Sequence, residues 1–268
     1  MSLPRFIVPS AALHGSSCVL TGDTFRHFRA RRLRVGSRLV LADGAGTARE
    51  GVVAQVDRRQ ALVNLSPAVT ETRESPLHLV LAQGILKGDK LDVVVEKATE
   101  LGVHEILFFT SERTVGRVAS QRQARWTRIA CSAAQQSQRT TVPNVRGPVS
   151  LEDVLAYPTA GLRLFFWEGT STRGLLAARE RGSDASDVFV VVGPEGGFSA
   201  DEARRAARAG FDVVGLSRRI LRAETAAVVV VTLAQFLWGD LASPSPSRAR
   251  PFESCSHCAA CSVPPPHA

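Results

Sequence analysis

The hydrophobic positions of the first 70 residues form short alternating runs, a pattern typical of a small β-rich domain. Turn residues separate the runs, as at Asp43-Gly44, and one stretch, Thr24–Leu33, has helical spacing instead. The strands predicted from this pattern are Arg5–Val8, Arg38–Ala42, Ala48–Val56 and Gln60–Ser66. We predict an N-terminal domain over residues 1–72, with the linker that follows it in the polar segment Thr70–Pro76.

After Pro76, apolar runs alternate with segments of helical spacing, which predicts a mostly parallel α/β sheet with helices on both faces. The clearest helix is Lys90–Leu101, and Gly102 is placed to end it. The predicted strands are Leu77–Gln83, His104–Thr110, Leu162–Trp167, Val188–Val192 and Asp212–Leu216. The other predicted helices are Gln121–Gln138, Ala200–Ala209 and Ala223–Trp238. We predict that this domain spans residues 73–242.

The last predicted helix, Ala223–Trp238, is apolar almost all round, so one face packs on the sheet and the other needs a partner. Its most apolar part, Ala226–Trp238, is about 13 residues long, too short to span a bilayer. The N-terminal residues lack the long apolar segment of a secretion signal. We therefore expect a cytoplasmic protein with no membrane association.

The formal net charge of +8 is concentrated in two arginine-rich stretches. Residues 26–38 hold six arginines, and residues 113–146 hold seven, with no Asp or Glu in either stretch. Such clusters suit a phosphate backbone, because each neutralised phosphate releases counterions; the alternative is a solvated basic face. The residues predicted to bind RNA are Arg26, Arg29, Arg31, Arg32 and Arg34.

The five cysteines fall into two groups. Cys18 and Cys131 are isolated, which is typical of small buried residues in a reducing compartment. Cys255, Cys258 and Cys261 form a C-x2-C-x2-C pattern with histidines nearby, which could bind zinc or an iron–sulfur cluster. The surrounding Pro- and Ser-rich sequence instead predicts that residues 243–268 are a disordered tail, so we predict no metal site.

Two loops carry the strongest functional signal. Gly193–Ser199 (GPEGGFS) and Leu216–Ala226 (LSRRILRAETA) each leave the end of a buried strand, where open α/β sheets bind ligands. Gly196 and Gly197 have no Cβ, so both are expected to reach positive φ and to lie against a flat ligand. Ser199 begins an S-x-x-E capping box. The loops lack the glycine spacing of the dinucleotide and P-loop motifs, so they predict a different nucleotide-like pocket.

Together these loops resemble the signature of the RsmE family, the ribosomal small-subunit uridine-N3 methyltransferases of the SPOUT superfamily. Further similar motifs are KGDKLDVVVEKATELGV (87–103), TSERTV (110–115) and RWTRIACSAAQQSQRTTVPNV (125–145), so the resemblance covers about residues 5–240. Two positions depart from the family pattern. Ser217 stands where glycine is usual, and Ser132 stands where glutamate is usual.

The resemblance implies a SPOUT α/β fold whose mostly parallel sheet carries a trefoil knot, preceded by a small PUA-like RNA-binding β-barrel. It also implies a homodimer formed through the knotted region. The implied methyl donor is S-adenosylmethionine (SAM), and the implied acceptor is uridine N3 in the decoding region of 16S ribosomal RNA in the small subunit. Two alternatives stay open: methylation of another base or a ribose in ribosomal or transfer RNA, and a non-catalytic RNA-binding assembly factor.

The resemblance also assigns expected roles to single residues. The cofactor walls are expected to be Gly193, Pro194, Glu195, Gly196, Gly197, Leu216, Ile220, Leu221 and Thr225. Arg219 and Arg222 are the expected catalytic residues, because cations near the uracil oxygens stabilise the anion that forms when N3 loses its proton. Glu195 and Glu224 are the carboxylates that could accept this proton or serve structurally. The motif residues taken as substrate-side or structural are Thr99, Glu100, Arg113, Gln136 and Arg139.

Overall fold

The computed structural model describes residues 3–68, 74–116, 122–169 and 173–242. The predicted tail, including Cys255, Cys258 and Cys261, lies outside the described residues, as does most of the predicted linker.

The N-terminal domain is a five-stranded sheet with the strand order β1-β3-β4-β5-β2. Its strands are β1 (Arg5–Ile7), β2 (Ser17–Leu20), β3 (Arg38–Ala42), β4 (Ala48–Val56) and β5 (Ala61–Ala68). Its helix is α1 (Gly22–Ala30). Phe25 and Phe28 of α1 are buried against Phe6 and the apolar face of the sheet. The predicted strands are confirmed, whereas β2, a short edge strand of four residues, was not predicted.

The second domain contains a seven-stranded sheet whose strands are all parallel, in the order β10-β12-β9-β11-β6-β7-β8. Its strands are β6 (His78–Gly84), β7 (Glu105–Thr110), β8 (Asn144–Ser150), β9 (Leu162–Phe166), β10 (Arg173–Gly174), β11 (Asp187–Val192) and β12 (Asp212–Gly215). The mostly parallel α/β sheet is thus confirmed.

Six helices accompany this sheet in the described part of the chain. They are α2 (Lys90–Glu100), α3 (Arg122–Ser137), α4 (Leu151–Leu155), α5 (Leu175–Arg181), α6 (Ala200–Arg208) and α7 (Ala223–Trp238). The four larger helices were predicted, and the bounds of α7 agree with the prediction. The short elements β8, α4, β10 and α5 were missed, because each is too short or too interrupted by Gly and Pro to show a clear period.

Two separate apolar clusters cover the two faces of the parallel sheet. One contains α2, α3 and α7, with Trp126 and Phe108 in ring contact. The other contains α4 and α6, with Phe165 and Phe198 in ring contact. Covering both faces explains why the central strands read as continuous apolar runs.

The strand order brings the two motif loops together. β11 pairs with β6 on one side and with β9 on the other, and β12 pairs with β9. The loops after β9, β11 and β12 therefore emerge at the same edge of the sheet. The knot implied by the resemblance stays a prediction, since strand order alone does not establish threading.

The two domains contact each other through the turn between β3 and β4. The amide of Gly46 donates to the Thr140 carbonyl, and the amide of Val142 donates to the Gly44 carbonyl at 2.9 Å. Beside this contact, Glu74 accepts hydrogen bonds from the amides of Thr140 and Thr141. Residues 140–142 are thus bound by both domains: by the β3–β4 turn of the first and by Glu74 at the start of the second. Within the described residues, no helix is long and apolar enough to cross a membrane.

Candidate active site

A cavity of about 780 Å³ lies at the carboxyl ends of β9, β11 and β12. Its volume falls within the usual range for sites that bind small ligands. Apolar walls come from Phe166, Val192 and Leu216, and charged groups come from Lys90 and Glu224. A ligand with a flat apolar part and a charged part would match this division.

The glycine loop after β11 differs from the prediction in one detail. Gly197 has the expected positive φ of +64°, whereas Gly196 does not. A Cβ on Gly196 would lie 2.9 Å from the Arg113 carbonyl oxygen, so this glycine makes room for the 111–116 loop. A Cβ on Gly197 would lie 2.4 Å from a carboxylate oxygen of Glu168. The two glycines therefore serve different purposes, and only Gly197 meets a conformational need.

Gln83, at the end of β6, fixes the start of the same loop. Its side chain is fully buried, and its Nε2 donates to the carbonyls of Gly193 and Gly84, each at 3.0 Å. A Cβ on Gly84 would lie 2.5 Å from the Pro194 nitrogen, so the two strand ends are in close contact. The base of the loop therefore packs directly on Gly84, and a side chain at this position would push the loop away.

Glu195 ties the tip of the loop to the start of α2. Its Oε1 accepts from Lys90 Nζ at 2.8 Å and from the Lys87 amide at 3.1 Å. Burial alone would raise the pKa of Glu195, but these hydrogen bonds and the charge of Lys90 outweigh it and lower the pKa. The bond to Glu195 correspondingly raises the pKa of Lys90. Glu195 is thus ionised and engaged, a poor proton acceptor.

The capping box predicted at the end of the loop is present and has an additional partner. Ser199 accepts from the Glu202 amide, and Glu202 accepts from the Ser199 amide at 2.8 Å. The other oxygen of Glu202 accepts from the Glu112 amide at 2.9 Å. This buried carboxylate therefore joins the start of α6 to the 111–116 loop.

The second loop, 216–222, is largely exposed. Ser217 Oγ accepts from the Arg219 amide and donates to the Arg219 carbonyl, which closes a local turn. Arg219 and Arg222 are exposed and line the cavity, and Ile220 lines it with 87% of its surface exposed. Glu224, in the first turn of α7, also lines the cavity; its Oε2 is buried and has no hydrogen-bond partner among the described residues.

The structure brings together nearly all of the predicted cofactor residues. Those that line the cavity are Gly193, Pro194, Glu195, Gly196, Gly197, Leu216, Ile220 and Leu221. Thr225 is exposed on α7 and is not part of the lining. The prediction missed Lys90, Phe166, Trp167 and Glu168, which also line the cavity. Trp167 is the last residue of the predicted strand Leu162–Trp167 and Glu168 directly follows it, the same signal that identified the motif loops.

Two of the other motif residues are structural. Thr99 is buried, and its side chain bonds within α2. Arg139 is buried, where it pairs with Glu74 at 2.8 Å and donates to the carbonyls of Thr99 and Val103. Burial alone would raise the pKa of Glu74, but Arg139 lowers it overall. This pair holds the end of α2, so neither Thr99 nor Arg139 is on the substrate side.

Glu100, Gln136 and Arg113 occupy different settings. Glu100 pairs with Lys97 on α2, and Gln136 is exposed on α3. Arg113 is exposed, and its Nη1 lies 3.4 Å from the Gly196 carbonyl. Of these three residues, Arg113 is thus the one placed beside the cavity.

The two basic stretches differ once folded. The predicted RNA-binding arginines of the first stretch are all exposed on α1 and the loop after it, although Arg26 pairs with Asp23. In the second stretch, Arg122, Arg125, Arg139 and Arg146 pair with acids from other segments. These four arginines therefore have acidic partners within the fold, and phosphate binding by the second stretch stays a prediction.

The described residues contain no cluster of His, Cys, Asp and Glu that could hold a metal ion. Cys18 is buried, and burial raises its pKa. Cys131 is only half-buried, and burial raises its pKa as well.

Two protein families match separate parts of the chain. Residues 73–235 match the RNA methyltransferase domain family, and residues 20–66 match the RNA methyltransferase PUA domain family. These matches agree with the fold: the first covers the parallel sheet and the second covers most of the five-stranded sheet.

Curated relatives carry one name, ribosomal RNA small subunit methyltransferase E. The protein of that name from Mycobacterium bovis is 31% identical over 84% of this chain and 88% of its own length. The one from Bacillus subtilis is 29% identical over 81% of this chain and 89% of its own length.

Solved structures show the same similarity. The ribosomal RNA small subunit methyltransferase E of Neisseria gonorrhoeae, bound to SAM, superposes with a TM-score of 0.82 at 34% identity, over 90% of this chain and 100% of its own. A methyltransferase of Legionella pneumophila, also in complex with SAM, gives a TM-score of 0.81 at 29% identity over the same shares.

Proposed function

We propose that this chain, which belongs to the ribosomal RNA small subunit methyltransferase E family, methylates N3 of one uridine in the decoding region of 16S ribosomal RNA. It is a SAM-dependent ribosomal RNA methyltransferase, as its relatives and their SAM-bound structures indicate. The observation that carries the proposal is the cavity between the two motif loops. The choice of uridine N3 rests on the resemblance of those loops to the family signature.

The residues around the cavity fit SAM. Phe166, Val192 and Leu216 supply apolar walls suited to an adenine ring, and the loop glycines allow a close approach of backbone. The buried, unpartnered Oε2 of Glu224 supplies negative charge for a donor that carries positive charge. Bound SAM would supply an electrophilic methyl group. We assign donor binding to Gly193–Gly197, Leu216 and Leu221, which line the cavity. Thr225 is left out because it is not part of the lining, and Ile220 is left out because its side chain is 87% exposed.

The chain's own residues then act on the uracil. Arg219 and Arg222 lie at the mouth of the cavity, where their charges would stabilise the anion formed when N3 loses its proton. Glu195 is engaged with Lys90, which leaves Glu168 and Glu224 as the other carboxylates of the cavity. We propose that Glu224 accepts this proton, because its Oε2 is buried and has no hydrogen-bond partner among the described residues. We expect Glu224→Gln to retain RNA binding and to lower the methyl-transfer rate at saturating donor.

We divide the chain into an RNA-binding domain over residues 1–72, a catalytic domain over 73–242 and a tail over 243–268. The family matches end and begin on either side of the first boundary, at 66 and 73. Since the reaction acts on the small ribosomal subunit, we place the protein in the cytoplasm.

We also propose a homodimer formed through α2 and α7. These helices pack on each other and carry exposed apolar side chains at Val93 and Phe236. A second copy would bury them. Sedimentation should show a dimer for the native chain and a monomer for Phe236→Glu; a monomeric native chain contradicts this proposal.

The product itself provides the test of function. A methyl group on N3 blocks Watson–Crick pairing, so reverse transcriptase should stop at the modified nucleotide. Purified protein with SAM and small subunits from a strain lacking the gene should create one new stop in the decoding region. Assembled subunits should be better substrates than naked RNA, because two domains can engage a prearranged surface.

Two results would favour the alternatives. If the methylated nucleoside co-elutes with a 2′-O-methyl or C5-methyl standard, the chain acts on a ribose or on another atom. If calorimetry detects no SAM binding and no methyl is transferred, the chain is a non-catalytic RNA-binding factor.

A further inference from the structure

The tip of the 216–222 loop combines an exposed apolar side chain with unpaired positive charges. Ile220 is 87% exposed, the highest value among the large apolar residues in the described part of the chain. Arg218, Arg219 and Arg222 flank it, and all three are exposed. None of the three forms an ion pair with an acid of the described residues, unlike Arg122 or Arg146.

This tip is held in place rather than hanging freely. Ser217 Oγ bonds to both the amide and the carbonyl of Arg219, at 3.1 and 2.7 Å. On the other side, the Arg222 carbonyl accepts from the Ala226 amide at 2.8 Å in the first turn of α7. Ile220 therefore lies in the four-residue span between two anchored ends, at the mouth of the cavity.

Covering the Ile220 side chain, which is 87% exposed at the mouth of the cavity, would be favourable for any partner that removes it from water. The surrounding charge indicates what that partner is. A second copy of a chain with a net charge of +8 would bring like charge to three unpaired arginines, whereas RNA brings phosphates. Charge complementarity thus favours an RNA segment at this tip.

The reaction supplies the reason for an apolar group there. Uridine N3 lies on the pairing edge, and the cavity is recessed between loops, so the target base must leave its stack to reach it. DNA-binding proteins that open a base stack insert apolar side chains such as isoleucine between the bases, and a similar side chain would suit the gap left in stacked RNA. Arg218, beside this group, would bind a flanking phosphate.

We propose that Ile220 inserts into the RNA stack next to the target uridine and holds the base in the flipped-out position, while Arg218 binds the adjacent phosphate. This inference rests on the proposed function and goes beyond it, because it gives the Ile220 side chain a contact with RNA rather than with the donor.

The test compares Ile220→Ala with Ile220→Leu in the full chain. We expect Ile220→Ala to lower the single-turnover rate of methyl transfer to small subunits about tenfold at saturating enzyme, with SAM affinity by calorimetry unchanged within twofold. Ile220→Leu should restore most of the rate, since it keeps the apolar volume. Leu176→Ala is the matched control, because Leu176 is also an exposed apolar side chain, at 70%, and is not part of the cavity lining.

Three outcomes would overturn the inference. One is a wild-type single-turnover rate for Ile220→Ala. Another is a parallel loss of SAM affinity, which would make Ile220 a donor contact. The third is a change in sedimentation, which would make the tip a subunit interface. Failure of the proposed function is distinct, because the native protein would then leave no methyl on uridine N3.

Discussion

The ammonium of Lys90 lies 2.8 Å from Oε1 of Glu195, although 105 residues separate them in the sequence. This contact joins the start of α2 to the glycine loop after β11. Two motifs that are far apart along the chain are thus parts of one wall of the cavity.

Removing the charge of Glu195 should loosen this wall. We expect Glu195→Gln to weaken SAM binding about two- to fivefold, since a partly exposed pair contributes at most about 1 kcal/mol. Calorimetric titration with SAM measures this effect. The pKa of Glu195 is lowered in the fold, so its contribution to the free energy of unfolding is present above the ordinary carboxyl pKa and is lost as pH falls through the lowered value. Thermal unfolding of the native protein from neutral to acidic pH should show this loss. Glu96→Gln, on the exposed Lys97 pair, is the control and should have no effect.

Adding a methyl group at Gly197 should disturb the same loop. Gly197→Ala places a side chain at a φ of +64° and against Glu168, so we expect a loss of about 1–2 kcal/mol in stability and weaker SAM binding. The double variant Gly197→Ala with Glu168→Ala removes the contact and leaves the strain. Gly174→Ala meets no atom within 4 Å and should behave as the native protein does. An unchanged SAM affinity in Gly197→Ala would remove this glycine from the donor site.

The first basic stretch can be tested by charge reversal. We expect Arg29→Glu with Arg32→Glu to weaken RNA binding and to reduce its salt dependence, because each lost phosphate contact lowers the slope by about one. The control is Arg58→Glu with Arg59→Glu, which makes the same charge change at exposed positions in the turn between β4 and β5. Equal salt slopes for the two double variants would show that α1 does not face RNA.

The buried pair between Arg139 and Glu74 should matter for folding more than for catalysis. Arg139→Met leaves Glu74 without its buried partner, and we expect a loss of about 3–5 kcal/mol in the free energy of unfolding. Arg146→Met, on an exposed pair, should cost less than about 1 kcal/mol. Since the pKa of Glu74 is lowered, the native protein should lose this stabilisation as pH falls through that lowered value. Denaturant unfolding at several pH values measures both effects.

The tail can be tested by deletion. Truncation after Ala242 should leave methyl transfer and thermal unfolding unchanged, as expected for a Pro- and Ser-rich extension. Loss of activity that added zinc or iron restores in the full chain would instead assign a metal site to Cys255, Cys258 and Cys261.

The larger elements were predictable because burial on both faces produces continuous apolar runs. Val188–Val192 illustrates this. The helix Ala223–Trp238 was predictable from the length of its apolar run, although Phe236 is exposed. The interrupted strand Asn144–Ser150 was not, since it contains Gly147 and Pro148 and pairs on one side only. Its place at the sheet edge comes from pairing with β7, which no local pattern encodes.

The site was predictable where a motif follows a strand end. It was less predictable where a distant segment of the chain supplies a lining residue. Lys90 reads as a helix residue on the surface, and its role depends on β6 pairing with β11. The ion pairs of the second basic stretch were equally hard to predict from the sequence. Arg125 and Arg146 lie in a stretch without acids, but Asp92 and Glu105 approach them in the fold.

The contact between the β3–β4 turn and residues 140–142 positions the N-terminal domain relative to the parallel sheet. Gly44 and Gly46 bond to this segment, and so does Glu74, so the turn of the first domain and the start of the second are held together at one place. If RNA contacts both α1 and the cavity, its phosphates and its target base must then match the distance between these two sites. We expect folded RNA to match that distance only where its own architecture supplies it, so the domain arrangement would limit which nucleotides can reach the cavity.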